Sequence, residues 1–231
     1  MTQPIKNAMF GINSYGQELT KEAIAKGLHR DFVGGAWDEL GKIQLAFLKT
    51  KGLRPEHQFL DIGCGCLRGG LHFISYLNPG NYHGLDINAS LIEAAKREIE
   101  VHHLQDKAAN LLVDDQFKLG KFGQTFDFMV AFSVFTHLPM NIIIRCLSEV
   151  RPCLTTNGVL LATFFRAPSS AYLENIVHLP GGVQTNYDSD PFHYAFEEIA
   201  MMADLVGLTA EFVDDWARTQ KMAVFSPKSS P

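Results

Sequence analysis

The stretch FLDIGCGCLRGG, residues 59–70, places a glycine-rich turn directly after a short apolar run. After this turn, short apolar runs alternate with segments of helical periodicity through much of the chain. The predicted strands are QFLDIG, YHGLDI, NLLV, FDFMVAFSV and GVLLATFF, and a helical pattern follows most of them. Strands and helices that alternate in this way indicate a parallel sheet with helices on both faces.

The two ends of the chain depart from this alternation. LTAEFVDDW (208–216) and KMAVFS (221–226) are predicted strands joined by only ARTQ, so they must run antiparallel. Before the glycine-rich turn, residues 19–28 and 36–53 have helical periodicity, and Gly34-Gly35 forms a candidate hinge between them. The predicted fold class is therefore α/β, a three-layer sandwich around a seven-stranded, mostly parallel sheet with an antiparallel last strand.

The composition of the 231-residue chain is that of a globular protein, with 46% hydrophobic and 19% charged residues. A formal net charge of -5 disfavours nucleic-acid partners, which usually require a basic surface. No uninterrupted apolar stretch has the length of a membrane span, and the first residues lack the basic-then-apolar layout of a secretory signal. We therefore expect a cytoplasmic protein without a membrane partner, either a monomer or a homodimer.

Acidic residues decide which ligand the glycine-rich turn is expected to hold. Gly63 and Gly65 follow Asp61, whose carboxylate would repel a dinucleotide pyrophosphate but attract an ammonium group. Asp86 ends the second strand, 21 residues beyond Gly65, where a carboxylate can accept both ribose hydroxyls of an adenosine. S-adenosylmethionine carries both groups, because it has an α-amino acid at one end and adenosine at the other.

A third acid follows the third strand in LLVDDQF, and its register is open by one residue. Asp115 is the candidate acceptor for the adenine amino group, with Asp114 as the alternative, while the adjacent backbone amide of Gln116 meets a ring nitrogen. Acids that close successive parallel strands lie at the carboxyl edge of the sheet, where open α/β sheets bind ligands. Two further residues on this edge are candidate cofactor contacts: Ile87 and Ser133.

Three motifs together resemble those of class I S-adenosylmethionine-dependent methyltransferases: DIGCGCLRGG after the first strand, GLDIN after the second and VFTHLP after the fourth. The antiparallel last strand KMAVFS is similar to that family's seventh strand, and the resemblance covers roughly residues 55–227. It implies a Rossmann-like fold with S-adenosylmethionine as the cofactor. It also implies a methyltransferase domain at residues 56–231 and an N-terminal helical lid at residues 1–55.

Two candidate cofactor contacts have two interpretations each. Arg68 departs from the small or apolar residues usual in the family's turn, and it contacts either the cofactor carboxylate or the protein surface. Trp37, beside the candidate hinge, either stacks on the adenine ring or fastens the N-terminal helix to the sheet.

The acceptor is expected near histidine and tyrosine side chains at the same edge of the sheet. His137 follows the fourth strand, where it orients the acceptor, takes its proton, or belongs to the cap of the next helix. The polar and aromatic segment QTNYDSDPFHYAFEE (184–198) supplies three further candidates: Tyr187, His193 and Tyr194.

The same segment has a structural alternative, in which Asp190-Pro191 forms a turn and the aromatic side chains pack beneath it. A metal ion is not expected. Asp188, Asp190 and His193 crowd a single loop, and no acid follows the fourth strand to complete a ligand set.

The leading hypothesis is an enzyme that moves the methyl group of S-adenosylmethionine to an oxygen or nitrogen of a small-molecule acceptor by direct in-line displacement. Nucleic-acid bases are disfavoured as acceptors, because SVFT stands where the family's base-methylating enzymes carry an Asn/Asp-Pro-Pro-aromatic motif. One alternative is a non-catalytic S-adenosylmethionine-binding partner subunit. A less favoured alternative is a nicotinamide-dependent oxidoreductase. Asp61 and the antiparallel strand pair argue against it.

Overall fold

A computed structural model describes residues 14–216 and 218–228. The chain divides into two compact units at Asp115 and Gln116. The first unit begins with three helices, α1 (Lys21–Ala25), α2 (His29–Phe32) and α3 (Trp37–Thr50). It continues with β1 (Phe59–Ile62), α4 (Gly70–Tyr76), β2 (Tyr82–Asp86), α5 (Ala89–Val101) and β3 (Asn110–Val113).

Local sequence signals explain where the helices of this unit begin and end. The Thr20 hydroxyl accepts a hydrogen bond from the Ala23 amide, which caps α1, and the Asn88 side chain caps α5 in the same way. Helix α3 ends at Thr50 just before Gly52, which has φ +94° and so stops the helix as the sequence predicts. The N-terminal helices belong to the same compact unit as β1–β3, while residues 1–13 of the expected lid lie outside the described residues.

The three strands of the first unit form a parallel arrangement with β2 in the middle. Asp61 pairs with Gly84 across β1 and β2, and Asp86 pairs with Val113 across β2 and β3. All four residues of β1 and all five residues of β2 are buried, as expected for strands covered on both faces. The carboxyl ends of the three strands therefore meet at one edge.

The second unit carries the remaining strands and helices. They are β4 (Phe126–Ala131), α6 (Met140–Cys153), β5 (Leu154–Arg166), β6 (Ile176–His178), β7 (Val183–Thr185), β8 (His193–Tyr194), α7 (Phe196–Leu205), β9 (Leu208–Val213) and β10 (Lys221–Pro227). The strand order is β4-β5-β10-β9, and β10 runs antiparallel to both of its neighbours. The predicted fold class is confirmed, because the chain is an α/β protein with a mostly parallel central sheet of about seven strands.

The segment between β5 and α7 is more ordered than the sequence suggested. Strands β6 and β7 form an antiparallel hairpin, and the short strand β8 pairs with the end of β5. The expectation that residues 184–198 form one polar, turn-rich loop is therefore wrong in part, because β7 and β8 lie within this segment. The four residues between β6 and β7 are LPGG, and a short glycine-containing connection of this kind is typical of a hairpin, so the sequence alone could have predicted it.

Candidate active site

The glycine-rich loop after β1 depends on two backbone conformations that glycine adopts easily. Gly63 and Gly65 have φ values of +72° and +54°, both in the left-handed region. The amides of Gly63 and Cys64 both donate to the carbonyl of Leu85, at 2.7 Å and 3.1 Å. The loop is therefore fastened to the end of β2, the strand that carries the second motif.

Asp86 joins these two motifs through its carboxylate. Oδ2 accepts a hydrogen bond from the Gly65 amide at 2.8 Å, and Oδ1 accepts one from the Asn88 amide at 2.9 Å. Burial raises the pKa of this carboxyl group, and the backbone N–H donors oppose that shift. Since a carboxylate accepts about four hydrogen bonds, Asp86 retains acceptor capacity for a ligand hydroxyl beside the backbone donors Gly65, Asn88 and Ile87.

Asp61, on β1, is 6% exposed and interacts with a residue that the sequence analysis missed. The Tyr82 hydroxyl donates to Asp61 Oδ2 at 2.9 Å. Burial raises the pKa of Asp61 to about 7, the Tyr82 hydrogen bond opposes the shift, and the nearby Asp86 carboxylate adds to it. Tyr82 lies on β2, next to the strand that carries Asp61. Only the pairing register of these two strands could have indicated their contact.

The structure distinguishes the two candidate acids that follow β3, Asp114 and Asp115. Asp114 directly follows the strand, its amide donates to the carbonyl of Asp86 at 3.0 Å, and its side chain is buried. Asp115, the first choice from the sequence, is exposed. Of the two alternatives, Asp114 is therefore the one that lies beside Asp86. Ile87 is half-buried between Asp86 and Asn88.

Arg68 binds the N-terminal segment of the first unit. Its Nη1 donates to the carbonyl oxygens of Val33 and Gly35, at 2.6 Å and 3.2 Å. This side chain is partly buried, which corrects the interpretation that it simply lies at the protein surface. Burial lowers the pKa of its guanidinium from the usual value.

Trp37 packs among residues of the same N-terminal segment. The Arg30 guanidinium lies 4.8 Å from the centre of the Trp37 ring, and His29 meets the ring edge-on at 6.2 Å. The ring also packs against a buried cluster that contains Ile24 and Cys66, the latter from the glycine-rich loop. These contacts match the interpretation in which Trp37 fastens the N-terminal helices.

In the second unit, His137 forms a close pair with an acid from the 184–198 segment. His137 Nδ1 lies 2.6 Å from Asp190 Oδ1, and the two side chains are 21% and 20% exposed. His137 ends a 3-10 helix (Phe135–His137), whereas α6 begins at Met140 after Pro139. The interpretation of His137 as part of the cap of the next helix is therefore wrong.

The other three acceptor candidates differ in their access to ligands. His193 is fully buried, with Nδ1 2.8 Å from the Thr185 hydroxyl and Nε2 2.8 Å from the carbonyl of Tyr172. Tyr194 is also buried and donates its hydroxyl to the carbonyl of Leu138 at 2.5 Å. Tyr187 is 42% exposed, so it is the accessible member of the three.

Two predicted cofactor contacts, Gln116 and Ser133, also lie in the second unit. Gln116 accepts a hydrogen bond from Arg145 at 3.1 Å. Ser133 has φ +58°, a conformation that is costly for a residue other than glycine. The Ser133 amide donates to the Thr163 hydroxyl at 2.7 Å, which fixes the backbone where β4 ends.

The structure thus brings the predicted residues together in two groups, one in each unit. The first contains Asp61, Gly63, Gly65 and Asp86 around the glycine-rich loop. The second places His137 against the 184–198 segment. Within the part of the chain that the structure describes, no group of three or more His, Cys, Asp or Glu side chains is arranged to hold a metal ion. No helix among those residues is long and apolar enough to cross a membrane.

Comparison with known proteins gives a matching family and many matching folds. Residues 60–160 match the family described as "Methyltransferase domain". An S-adenosylmethionine-dependent methyltransferase from Clostridium acetobutylicum is 11% identical, with a TM-score of 0.65 over 90% of this chain and 99% of that one. The CcbJ methyltransferase from Streptomyces caelestis is 16% identical, with a TM-score of 0.62 over 80% and 88% of the two chains.

A third similar structure, magnesium protoporphyrin IX methyltransferase from Synechocystis, was solved with bound S-adenosylmethionine. It is 14% identical, with a TM-score of 0.59 over 93% of this chain and 88% of that one. At these identities the structural likeness establishes the fold alone, and the domain match concerns residues 60–160. Residues 60–160 carry a methyltransferase domain. The fold is that of class I S-adenosylmethionine-dependent methyltransferases, the family that the sequence motifs resemble, and S-adenosylmethionine is the cofactor that this resemblance implies.

Proposed function

We propose that this enzyme transfers the methyl group of S-adenosylmethionine to an oxygen or nitrogen of a small molecule by direct in-line displacement. Similar folds support a small acceptor, since they include enzymes named for magnesium protoporphyrin IX and for mitomycin. The net charge of -5 supports it too, because a nucleic-acid substrate usually requires a basic surface. We also propose that the enzyme is cytoplasmic and that it is either a monomer or a homodimer.

The hydrogen bond between Asp86 and Gly65 carries the cofactor half of the proposal. It holds the glycine-rich loop against the carboxylate that we assign to the ribose hydroxyls. Asp61 lies on the neighbouring strand, and we assign it to the cofactor's ammonium group, which favours an ionised carboxylate. Asp114, or Asp115 next to it, accepts from adenine, with Ile87, Gln116 and Ser133 as flanking contacts.

The chemistry needs little from the protein beyond orientation. The bound cofactor supplies a methyl group already activated by its sulfonium, so the enzyme must align the acceptor with it and exclude water. On the acceptor side we assign His137 as the group that takes a proton, and Tyr187 as an exposed contact. His193 and Tyr194 support the segment from beneath, because both are buried and hydrogen-bonded.

We also propose that the N-terminal helices act as the cofactor's lid. Arg68 ties residues 33 and 35 to the glycine-rich loop, and the side-chain Nδ2 of Asn88 donates to the carbonyls of Tyr15 and Gln17. Both anchors come from loops that follow β1 and β2. A segment fastened at these two points is well placed to cover a ligand held by Gly65 and Asp86.

The acceptor class is tested by following a labelled methyl group. The full-length protein is incubated with methyl-labelled S-adenosylmethionine and, separately, with a small-metabolite extract, transfer RNA, DNA and protein. We expect label in the small-metabolite fraction alone. Label in a nucleic acid would contradict the proposal, and cofactor binding without turnover on any fraction would favour a non-catalytic partner subunit.

A further inference from the structure

A buried chain of hydrogen bonds joins His178 of β6, Thr185 of β7 and His193 of β8. The Thr185 hydroxyl lies 2.8 Å from His178 Nε2 and 2.8 Å from His193 Nδ1. His193 Nε2 lies 2.8 Å from the carbonyl oxygen of Tyr172, in the segment that precedes β6. Thr185 and His193 are fully buried, and His178 is 8% exposed. The hairpin of β6 and β7 is therefore fastened to its surroundings at one buried point.

Hydrogen-bonding rules fix the direction of this chain. A carbonyl oxygen only accepts hydrogen bonds, so His193 Nε2 carries the proton that it donates to Tyr172. In the neutral ring Nδ1 then accepts, and its donor is the Thr185 hydroxyl. Since that hydroxyl has only one proton, its oxygen accepts from His178 Nε2. The arrangement therefore needs an uncharged His193.

A proton added to His193 Nδ1 would break this arrangement. The Thr185 hydroxyl would lose its acceptor and would have to turn to the carbonyl oxygen of Ile176, which is 3.5 Å away and beyond an ordinary O–H···O distance. Charge on His178 is disfavoured as well. Burial lowers the pKa of His178, and its neighbours His193 and Lys221 of β10 lower it further.

The other side chains packed against the two histidines do not compensate such a charge. Phe165 of β5 lies against His178, with ring centres 4.8 Å apart, and Tyr172 meets His193 edge-on at 5.6 Å. Glu198 of α7 is bonded to the Tyr172 side chain. The hydrogen-bond partners of both imidazole rings are therefore an uncharged hydroxyl and an uncharged carbonyl group.

We propose that His178, Thr185 and His193 form a pH-sensitive latch on the β6–β7 hairpin, closed while both histidines are neutral and released when they take up protons. A histidine in water has a pKa of about 6.5, so below about pH 6.5 an open hairpin takes up protons that the closed hairpin resists. By linkage, each such proton raises the equilibrium constant for opening by up to about tenfold per pH unit. Two histidines together raise it by up to about a hundredfold per unit.

The latch also holds the segment that carries Tyr187, the exposed residue that we assign to the acceptor. Tyr187 follows Thr185 by two residues, with Asn186 between them. The Asn186 amide donates to the carbonyl of Pro191 at 2.9 Å, and its own carbonyl accepts from the His193 amide at 3.2 Å. Release of the latch therefore loosens this acceptor contact on acidification. That consequence rests on the proposed function, whereas the latch itself does not.

Amide hydrogen exchange of the ligand-free, full-length protein tests the latch. The measured quantity is the protection factor of the amides in β6, β7 and Asn186, which removes the intrinsic pH dependence of exchange. We expect constant protection above about pH 7 and, below about pH 6.5, a loss steeper than about tenfold per pH unit. Wild-type protection that stays constant down to about pH 5 would overturn the proposal.

Three variants identify the groups that take up the protons. His178→Gln keeps an N–H donor for Thr185 but removes one titrating ring, so the loss should be at most about tenfold per pH unit. His178→Gln combined with His193→Gln should show no such loss. His103→Asn, at an exposed position of the other unit, should match the wild type. A wild-type pH dependence retained in the double variant would assign the effect to other groups and overturn the latch.

Nitrogen-15 NMR of the wild type gives a measurement that does not depend on the folding of any variant. At about pH 7.5 both rings should be neutral with the proton on Nε2, and they should become charged only as the hairpin loses protection. A charged His193 in a fully protected hairpin would contradict the latch. Neither measurement involves a cofactor or an acceptor. A protein that transfers methyl groups without this pH dependence would therefore refute the latch alone, and one that shows the pH dependence without binding S-adenosylhomocysteine would refute only the proposed function.

Discussion

Asp61 is a carboxyl group that the fold holds away from water. It is 6% exposed, its hydrogen-bond donor is the Tyr82 hydroxyl, and a second carboxylate, Asp86, is nearby. Such an environment disfavours the charged form unless a cation is bound. An ionised Asp61 therefore carries an energetic cost in the free protein, and the ammonium group that we propose as its ligand would relieve it.

This cost predicts how the stability of the ligand-free protein depends on pH. The pKa of Asp61 is about 7 in the folded protein, against an ordinary value of 3.8 for an aspartate, so the folded state binds the proton more tightly. Its contribution to stability therefore falls as pH rises from about 4 to about 7, by up to about 1.4 kcal/mol per unit. Asp61→Asn removes this dependence while keeping an oxygen for Tyr82.

Urea unfolding between pH 5 and pH 8 measures the effect. The free energy of unfolding of Asp61→Asn, minus that of the wild type, should rise with pH and level off above about 7. The same substitution at Asp106, which is exposed, should give a nearly constant difference. A constant difference for Asp61→Asn as well would contradict the assigned environment.

At the scale of elements, the sequence predicted strands and helices well and their connections less well. The strands β1, β2 and β4 are short and almost entirely buried, and α3 and α5 have a clear stop signal and a clear cap, so local patterns were sufficient. The packing of the N-terminal helices was not predictable. It rests on Glu98 accepting from His29 and Arg30, contacts that span nearly 70 residues of sequence.

The contact between α3 and α4 depends on Gly41. A Cβ atom at this position would collide with the His72 ring and would lie 2.5 Å from the carbonyl oxygen of Arg68. Alanine usually stabilises a helix relative to glycine by about 1 kcal/mol. Here we expect the opposite sign, a loss of about 1–3 kcal/mol, because the two helices must separate.

Chemical denaturation of Gly41→Ala checks this prediction. Gly120→Ala is the control, because a Cβ atom there meets nothing within 4 Å and no left-handed conformation is needed. The control should unfold close to the wild type. A Gly41→Ala variant as stable as the wild type would show that α3 and α4 do not pack as closely as described.

For the whole molecule, the sequence predicted the contacts around the glycine-rich loop better than the contacts of the 184–198 segment. Gly65 follows β1 and Asp86 ends β2, so both were expected at the same edge, because the carboxyl ends of parallel strands meet there. The His137–Asp190 pair joins residues 53 apart. It depends on how the 184–198 segment folds back onto the 3-10 helix after β4, and no periodicity encodes that path.

The cofactor assignment is tested most directly by thermal melting of the wild type and Asp86→Asn with S-adenosylhomocysteine, with NAD and without ligand. A ligand at about 100 times its Kd adds about 2.7 kcal/mol to the folded state and raises the midpoint. We predict a clear rise for the wild type with S-adenosylhomocysteine, a much smaller rise for Asp86→Asn, and none with NAD. A rise with NAD and none with S-adenosylhomocysteine would contradict the assignment.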